Sequence, residues 1–245
     1  MIIYLSSHIG GSYKQNGIRI PTALSSENGL LESFRKDWKD GIRGLIISAD
    51  PDNIERNDSI CKAFAEAFPI SGLPIDEMTI CDRRNEKIVE KIPEYDILIL
   101  SGGHVPTQNK FFKKIKLKES LANFSGMLIG ISAGSMNSAE TVYAQPELPG
   151  ESINIEYKRF LPGLGLTKFM ILPHYQNIKD DILDGKRLFE DITYPDSYGR
   201  EFYALVDGTY IRIENGISKL FGEAYRIRDG KTEQICKKDS SIVLE

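Results

Sequence analysis

The stretch from Gly126 to Asn137 constrains the chain most. It reads Gly-Met-Leu-Ile-Gly-Ile-Ser-Ala-Gly-Ser-Met-Asn. Met127, Leu128, Ile129 and Ile131 make a short apolar run of the kind a buried parallel strand needs. The run ends in Gly130-Ile131-Ser132-Ala133-Gly134, the Gly-x-Ser-x-Gly pattern of a nucleophile elbow. There the chain turns sharply from strand to helix, and the serine at the apex takes a strained backbone conformation. Gly130 and Gly134 lack a Cβ, so strand and helix can approach closely. Ser132 Oγ would then stand above the sheet. The N–H groups that follow, starting with Ala133, would face any developing negative charge. Taken alone, the five residues also fit a plain helix cap at Ser132.

The flanking chain supplies the context. Ile2 to Ser7 reads as a buried strand, and His8 to about Glu27 as a Gly-, Ser- and Asn-rich loop. A helical pattern follows from Leu30 to Asp40 and a strand from Arg43 to Ala49. Asn57 or Asp58 is placed to cap a helix running to Phe68. Met78 to Asp82 and Tyr95 to Leu100 read as strands, with a short helix from Glu86 to Ile92 between them. This alternation predicts an α/β fold of three layers: a mostly parallel, doubly wound sheet with flanking helices. Ligands of such sheets sit at the carboxyl ends of the strands. Ser101-Gly102-Gly103 and Ser132 both lie at such ends. In the second half, Lys168 to Leu172 is a strand and Ile182 to Phe189 looks helical. Tyr203 to Val206 is another strand, and antiparallel hairpins close the chain. No linker or repeat divides residues 1–245, so one domain is expected.

A serine needs a base, and there are three histidines: His8, His104 and His174. His174 follows a buried strand, where a base would sit. His104 follows Gly102-Gly103 and is placed either in the pocket or at the surface, and His8 receives no role. The base needs an acid to hold its tautomer. Asp207 ends the late strand and is favoured, with Glu147 and Glu140 as rivals. Two N–H donors for an oxyanion would come from Ala133 and from the Gly102-Gly103 pair.

These residues resemble the dipeptidase E / cyanophycinase family of serine peptidases, which has the class I glutamine amidotransferase-like fold. The matching pieces are Ile97 to Gly103, Gly130 to Ser135, Leu172-Pro173-His174-Tyr175 and Ala204 to Gly208, in the family's order. The resemblance implies Ser132 as nucleophile, His174 as base and Gly103 as an oxyanion donor. It leaves two placements for the acid, near Glu147 or at Asp207, where a shorter Asp replaces the usual Glu. It implies a small peptide substrate, an Asp-Xaa dipeptide among them. Lys158, Arg159 and Arg200 are candidate partners for such an acidic side chain. The segment after Gly103, from His104 to Asn109, departs from the commonest family pattern and is similar to a bacterial subgroup. Two rival readings stay open: an α/β-hydrolase-type esterase, with the acid between Ser and His, and a non-catalytic binding protein that keeps the fold.

Composition narrows the partners. A net charge of −4 and no long basic block argue against nucleic acid; the densest stretch, Lys113 to Lys118, reads as a solvated face. No apolar run reaches membrane-spanning length, and no metal-ligand spacing or nucleotide loop occurs, so no metal, cofactor or membrane partner is expected. Cys61, Cys81 and Cys236 are unpaired by spacing, which suits a reducing compartment, and a cytoplasmic location is the expectation. A homodimer is compatible with these features and is not dictated by them.

Overall fold

The computed structural model describes residues 1–245. The strands are β1 (Ile2–Ser6), β2 (Gly10–Gln15), β3 (Ile18–Leu24), β4 (Arg43–Ile47), β5 (Glu77–Cys81), β6 (Ile97–Leu100), β7 (Met127–Ile131), β8 (Thr141–Tyr143) and β9 (Phe160–Pro162). After them come β10 (Met170–Leu172), β11 (Ile182–Leu183), β12 (Lys186–Arg187), β13 (Glu201–Leu205), β14 (Tyr210–Glu214), β15 (Ile217–Phe221), β16 (Ala224–Arg228), β17 (Lys231–Cys236) and β18 (Ser241–Leu244). The α-helices are α1 (Leu30–Asp37), α2 (Ile54–Ile70), α3 (Val105–Lys114), α4 (Leu117–Ser120), α5 (Ala133–Asn137), α6 (Tyr175–Ile178) and α7 (Tyr194–Asp196). No helix is long and apolar enough to cross a membrane.

An eight-stranded sheet in the order β18-β15-β14-β1-β7-β6-β4-β5 forms the middle layer. The pairs from β1 through β7, β6 and β4 to β5 are all parallel, while β14, β15 and β18 extend the sheet antiparallel. Alternating side chains make two cores, as strands buried on both faces require. Tyr4, Ile46, Ile99 and Ile129 face α1 and α2, where Phe34 and Phe68 meet them. Leu5, Leu45, Leu98 and Leu128 face Phe111, Phe112 and Leu117 on the other side, together with Ile171, Tyr203 and Leu205. Those last three belong to a second sheet, β10-β13-β16-β17. The mixed α/β architecture with C-terminal hairpins is therefore as expected, except that His174 and Asp207 leave a separate sheet.

Three expectations need correction. Residues 10–24 are not a loop but the β2–β3 hairpin, turned at Asn16 (φ 51°) and Gly17 (φ 80°). Asn-Gly is the preferred pair for such turns because both central residues need positive φ. The helix expected from Asn57 begins one turn earlier, because Asn53 accepts the Arg56 N–H at 3.2 Å and caps it. Asn57 itself is buried and accepts a hydrogen bond from Ser48 Oγ at 2.7 Å. The stretch Ile182 to Phe189 is not a helix: Asp184-Gly185 turns it into the β11–β12 hairpin, and a π-helical segment starts at Leu188.

The elbow itself is tightly built. A Cβ at Gly134 would lie 2.1 Å from the Leu100 carbonyl oxygen, and one at Gly130 would lie 3.0 Å from the Ser135 backbone. Backbone at both contacts cannot move aside cheaply. Gly134→Ala is therefore expected to lower the Tm by on the order of 10 °C, measured by thermal unfolding. An unchanged Tm would show that α5 is free to shift away from β6.

Candidate active site

Parallel neighbours end on the same side of a sheet, and this is how the site is assembled. In the β6–β7 register Leu100 faces Gly130, so continuing the register sets Gly102 beside Ser132. A Cβ at Gly102 would touch Ser132 Cβ at 3.3 Å. In the β1–β7 register Ser6 faces Ile131, which brings Ser7 to the same end. In the second sheet β10 and β13 are also parallel, with Leu172 facing Ala204. Both strands end together, and His174 and Asp207 follow them.

Ser132 has φ 50° and ψ −112°, a conformation that a non-glycine residue holds only when its surroundings enforce it. Its N–H donates to Ser6 O at 2.9 Å, and Ser135 Oγ donates to the same carbonyl at 2.8 Å. His174 is also left-handed, at φ 60°. Its Nε2 lies 3.0 Å from Ser132 Oγ and its Nδ1 2.6 Å from Asp207 Oδ1. A carboxylate only accepts, so Nδ1 carries the hydrogen and neutral Nε2 offers its lone pair to the Ser132 hydroxyl.

Asp207 is held from several directions. Ser7 Oγ donates to Oδ1 at 2.6 Å, and Gln176 Nε2 and Asn177 Nδ2 donate to Oδ2 at 2.7 and 3.3 Å. Ser7 also accepts the His174 N–H at 2.8 Å, tying both residues to the end of β1. Burial pushes the Asp207 carboxyl up. The hydrogen bonds from His174 and Ser7, the His174 charge and the Gln176 amide outweigh it and hold the pKa at about 2.

Glu147 and Glu140 do not reach the imidazole. Glu147 borders the cleft, but its own N–H donates to Glu151 Oε2 at 2.9 Å and its carboxylate makes no bond to His174. Loss of hydration raises its pKa and Glu151 adds to the rise, while His104, His174 and Arg56 oppose it. His104 does not line the cleft; it caps α3 and lies 2.8 Å from Glu151 Oε1. His8 borders the cleft and accepts the Gly10 N–H on its Nδ1 at 3.1 Å.

Two backbone N–H groups lie next to Ser132 along the chain or across the strand register, those of Ala133 and Gly103. Ala133 opens α5, so its N–H has no acceptor inside the helix. Arg56 Nη2 donates to Gly102 O at 3.2 Å. Because a trans peptide sets C=O and N–H on opposite edges, this bond fixes the direction of the Gly103 N–H. No group of three or more His, Cys, Asp or Glu is gathered to hold a metal ion.

The cleft has two lobes that share Ser132, His174 and Gly103. One, about 290 Å³, lies under the β2–β3 hairpin against α2 and is bordered by Arg19 and Arg56. The other, about 150 Å³, is bordered by Val105, Met136, Leu172 and Leu188, with Glu147 and Asp181 at its edge. The cations expected at Lys158, Arg159 and Arg200 border neither lobe. Arg159 pairs with Asp196 at 3.1 Å, and Arg200 stacks over the Phe160 ring at 4.4 Å. The sequence reading passed over Ser7, Gln176, Arg19 and Arg56.

Peptidase family S51 matches residues 51–221, well over half of the chain. Among solved structures, a peptidase from an acI-B1 Actinobacterium superposes with a TM-score of 0.67 at 17% identity, over 99% of this chain and 96% of that one. A peptidase E candidate from Listeria monocytogenes EGD-e gives a TM-score of 0.55 at 17% identity, over 96% of this chain and 98% of that one. At such identity the two likenesses establish the fold. No curated protein matches the sequence.

The depressed Asp207 pKa has a sign for stability. It contributes fully above the unfolded carboxylate value of about 3.9, and the contribution is lost as pH falls toward the folded value of about 2. Wild type is expected to exceed Asp207→Asn in Tm at pH 6, with the gap narrowing steadily from pH 4 to pH 2. A gap that stays constant over that range would show that the carboxylate is not held in its charged form.

Proposed function

Because the chain belongs to peptidase family S51, we propose that it is a serine peptidase acting on small peptides through an acyl-enzyme. Ser132 is the nucleophile, His174 the general base and Asp207 the acid that orients it. The observation that carries this reading is the unbroken run Ser132 Oγ, His174 Nε2, His174 Nδ1, Asp207 Oδ1, with contacts of 3.0 and 2.6 Å. The order along the chain is Ser, His, acid, which differs from the Ser, acid, His order of α/β-hydrolases and disfavours the esterase reading. Residues 1–245 act as one catalytic unit in this reading, since Ser7 and Asp207 both support His174.

The chemistry follows from the geometry. His174 Nε2 takes the Ser132 proton as Oγ adds to the scissile carbonyl carbon. The oxygen gains a negative charge and is received by the Ala133 and Gly103 N–H groups. The imidazolium stays paired with Asp207 and returns its proton to the leaving amine as the C–N bond breaks. Water then loses a proton to His174, adds to the ester carbon and releases the acid and the free serine. An Asp-Xaa dipeptide is the family-based candidate substrate; the size of the two lobes suits short peptides.

A fluorophosphonate probe is expected to label wild type at Ser132, located by mass spectrometry, and to leave Ser132→Ala and His174→Ala unlabelled. A folded wild-type protein that neither takes the probe nor hydrolyses any dipeptide would return the chain to the binding-protein reading. The acid is tested separately: Asp207→Asn is expected to lower kcat/KM by about 10²- to 10⁴-fold. Glu147→Gln, lacking contact with the imidazole, is expected to lower kcat far less than Asp207→Asn does, any contribution of Glu147 to substrate binding appearing in KM. The reverse ranking would move the acid to Glu147.

A further inference from the structure

The two lobes carry opposite charge. Arg19 comes from β3 and Arg56 from α2, and both border the larger lobe. Neither guanidinium is ion-paired, whereas most arginines of this chain, such as Arg84, Arg212 and Arg228, share a carboxylate. Arg19 is half-buried and donates only to the neutral Ser12 Oγ, at 2.9 Å. Its pKa is lowered by burial and by the nearby Arg56 charge, so the pair is held together at a cost. Two unneutralised guanidiniums turned into one recess are the arrangement that a carboxylate would relieve. Across Ser132 the smaller lobe is lined by Val105, Met136, Leu172, Ile178 and Leu188 together with the unpaired carboxylates Glu147 and Asp181.

A short peptide has the matching polarity. Its ammonium lies on the acyl side of the scissile bond and its terminal carboxylate on the leaving side. We propose that Arg19 and Arg56 bind the free C-terminal carboxylate of the leaving residue, and that the smaller lobe takes an uncharged, apolar N-terminal residue with its ammonium facing Glu147 and Asp181. This rests on the peptidase reading above and deepens it. The chain is thereby a peptidase of free short peptides, and in place of the family-based Asp-Xaa candidate an apolar first residue is favoured, because an acidic side chain would meet Glu147 and Asp181 without a cation.

The test compares Leu-Ala, Leu-Ala amide, N-acetyl-Leu-Ala and Asp-Ala. Wild type is expected to cleave Leu-Ala with kcat/KM on the order of 10- to 100-fold above the amide, the range of a charge-assisted pair. Leu-Ala is expected to exceed Asp-Ala and the acetylated peptide as well. In Arg19→Met the preference for acid over amide is expected to collapse toward one, with the loss in KM rather than kcat. Equal cleavage of acid and amide by wild type overturns the proposal without any variant. Asp-Ala as the best substrate, with its advantage lost in Arg19→Met, also overturns it and assigns the arginines to an acidic side chain of the first residue. Affinity for the same four peptides, measured by calorimetry on Ser132→Ala, separates the two layers. Acid-over-amide binding there with no turnover by wild type keeps the anion site and removes the peptidase reading. Turnover by wild type with no such preference does the reverse.

Discussion

Everything at this site depends on a chain reversal made without a loop. β7 runs straight into α5 through Ser132, whose positive φ costs about 1–3 kcal/mol. The neighbours on both sides enforce it. The Ser6 carbonyl takes one hydrogen bond from the Ser132 N–H and another from Ser135 Oγ, and Gly134 sits against the Leu100 carbonyl with no room for a side chain. The hydroxyl is thus positioned by three adjacent strands rather than by a mobile loop. The first free N–H of α5 comes with it.

The partners arrive from a different layer. His174 and Asp207 follow parallel strands of the second sheet, so their mutual spacing is set there and not by the sheet that carries Ser132. Ser7 joins the two. It extends β1, accepts the His174 N–H and donates to Asp207, so one hydroxyl ties both residues to the strand beside the elbow.

Strong, continuous patterns were legible in the sequence. The apolar runs of β1, β4, β6 and β7 are buried on both faces and admit no other reading, and the elbow glycines have a steric cause that can be argued from residue type. Ser132, His174 and Asp207 stand out in the sequence because each follows a strand, and the fold sets them in one hydrogen-bonded row. What escaped was set by pairing between distant segments. The Asn16-Gly17 signal was present, but β2 is largely polar and exposed and Pro21 interrupts β3, so the alternation that marks a buried hairpin is broken. Ile182 to Phe189 has helix-like apolar spacing that Asp184-Gly185 overrides. Ser7, Arg19 and Arg56 have ordinary neighbours in the chain; their importance comes from which recess the fold turns them into.

The place of β1 has a consequence for how the molecule is made. It lies in the interior of the sheet, between β7 and β14, with Ile3 opposite Ile213. β1 therefore waits for a partner strand made much later in the chain. Until β14 is synthesised, one edge of β1 has unpaired N–H and C=O groups beside buried-type side chains, the kind of edge that recruits foreign strands. Closing so long a separation is slow. The Ser7 contact to Asp207 forms only in the same late stage, so an incomplete chain carries the elbow serine but not its assembled partners.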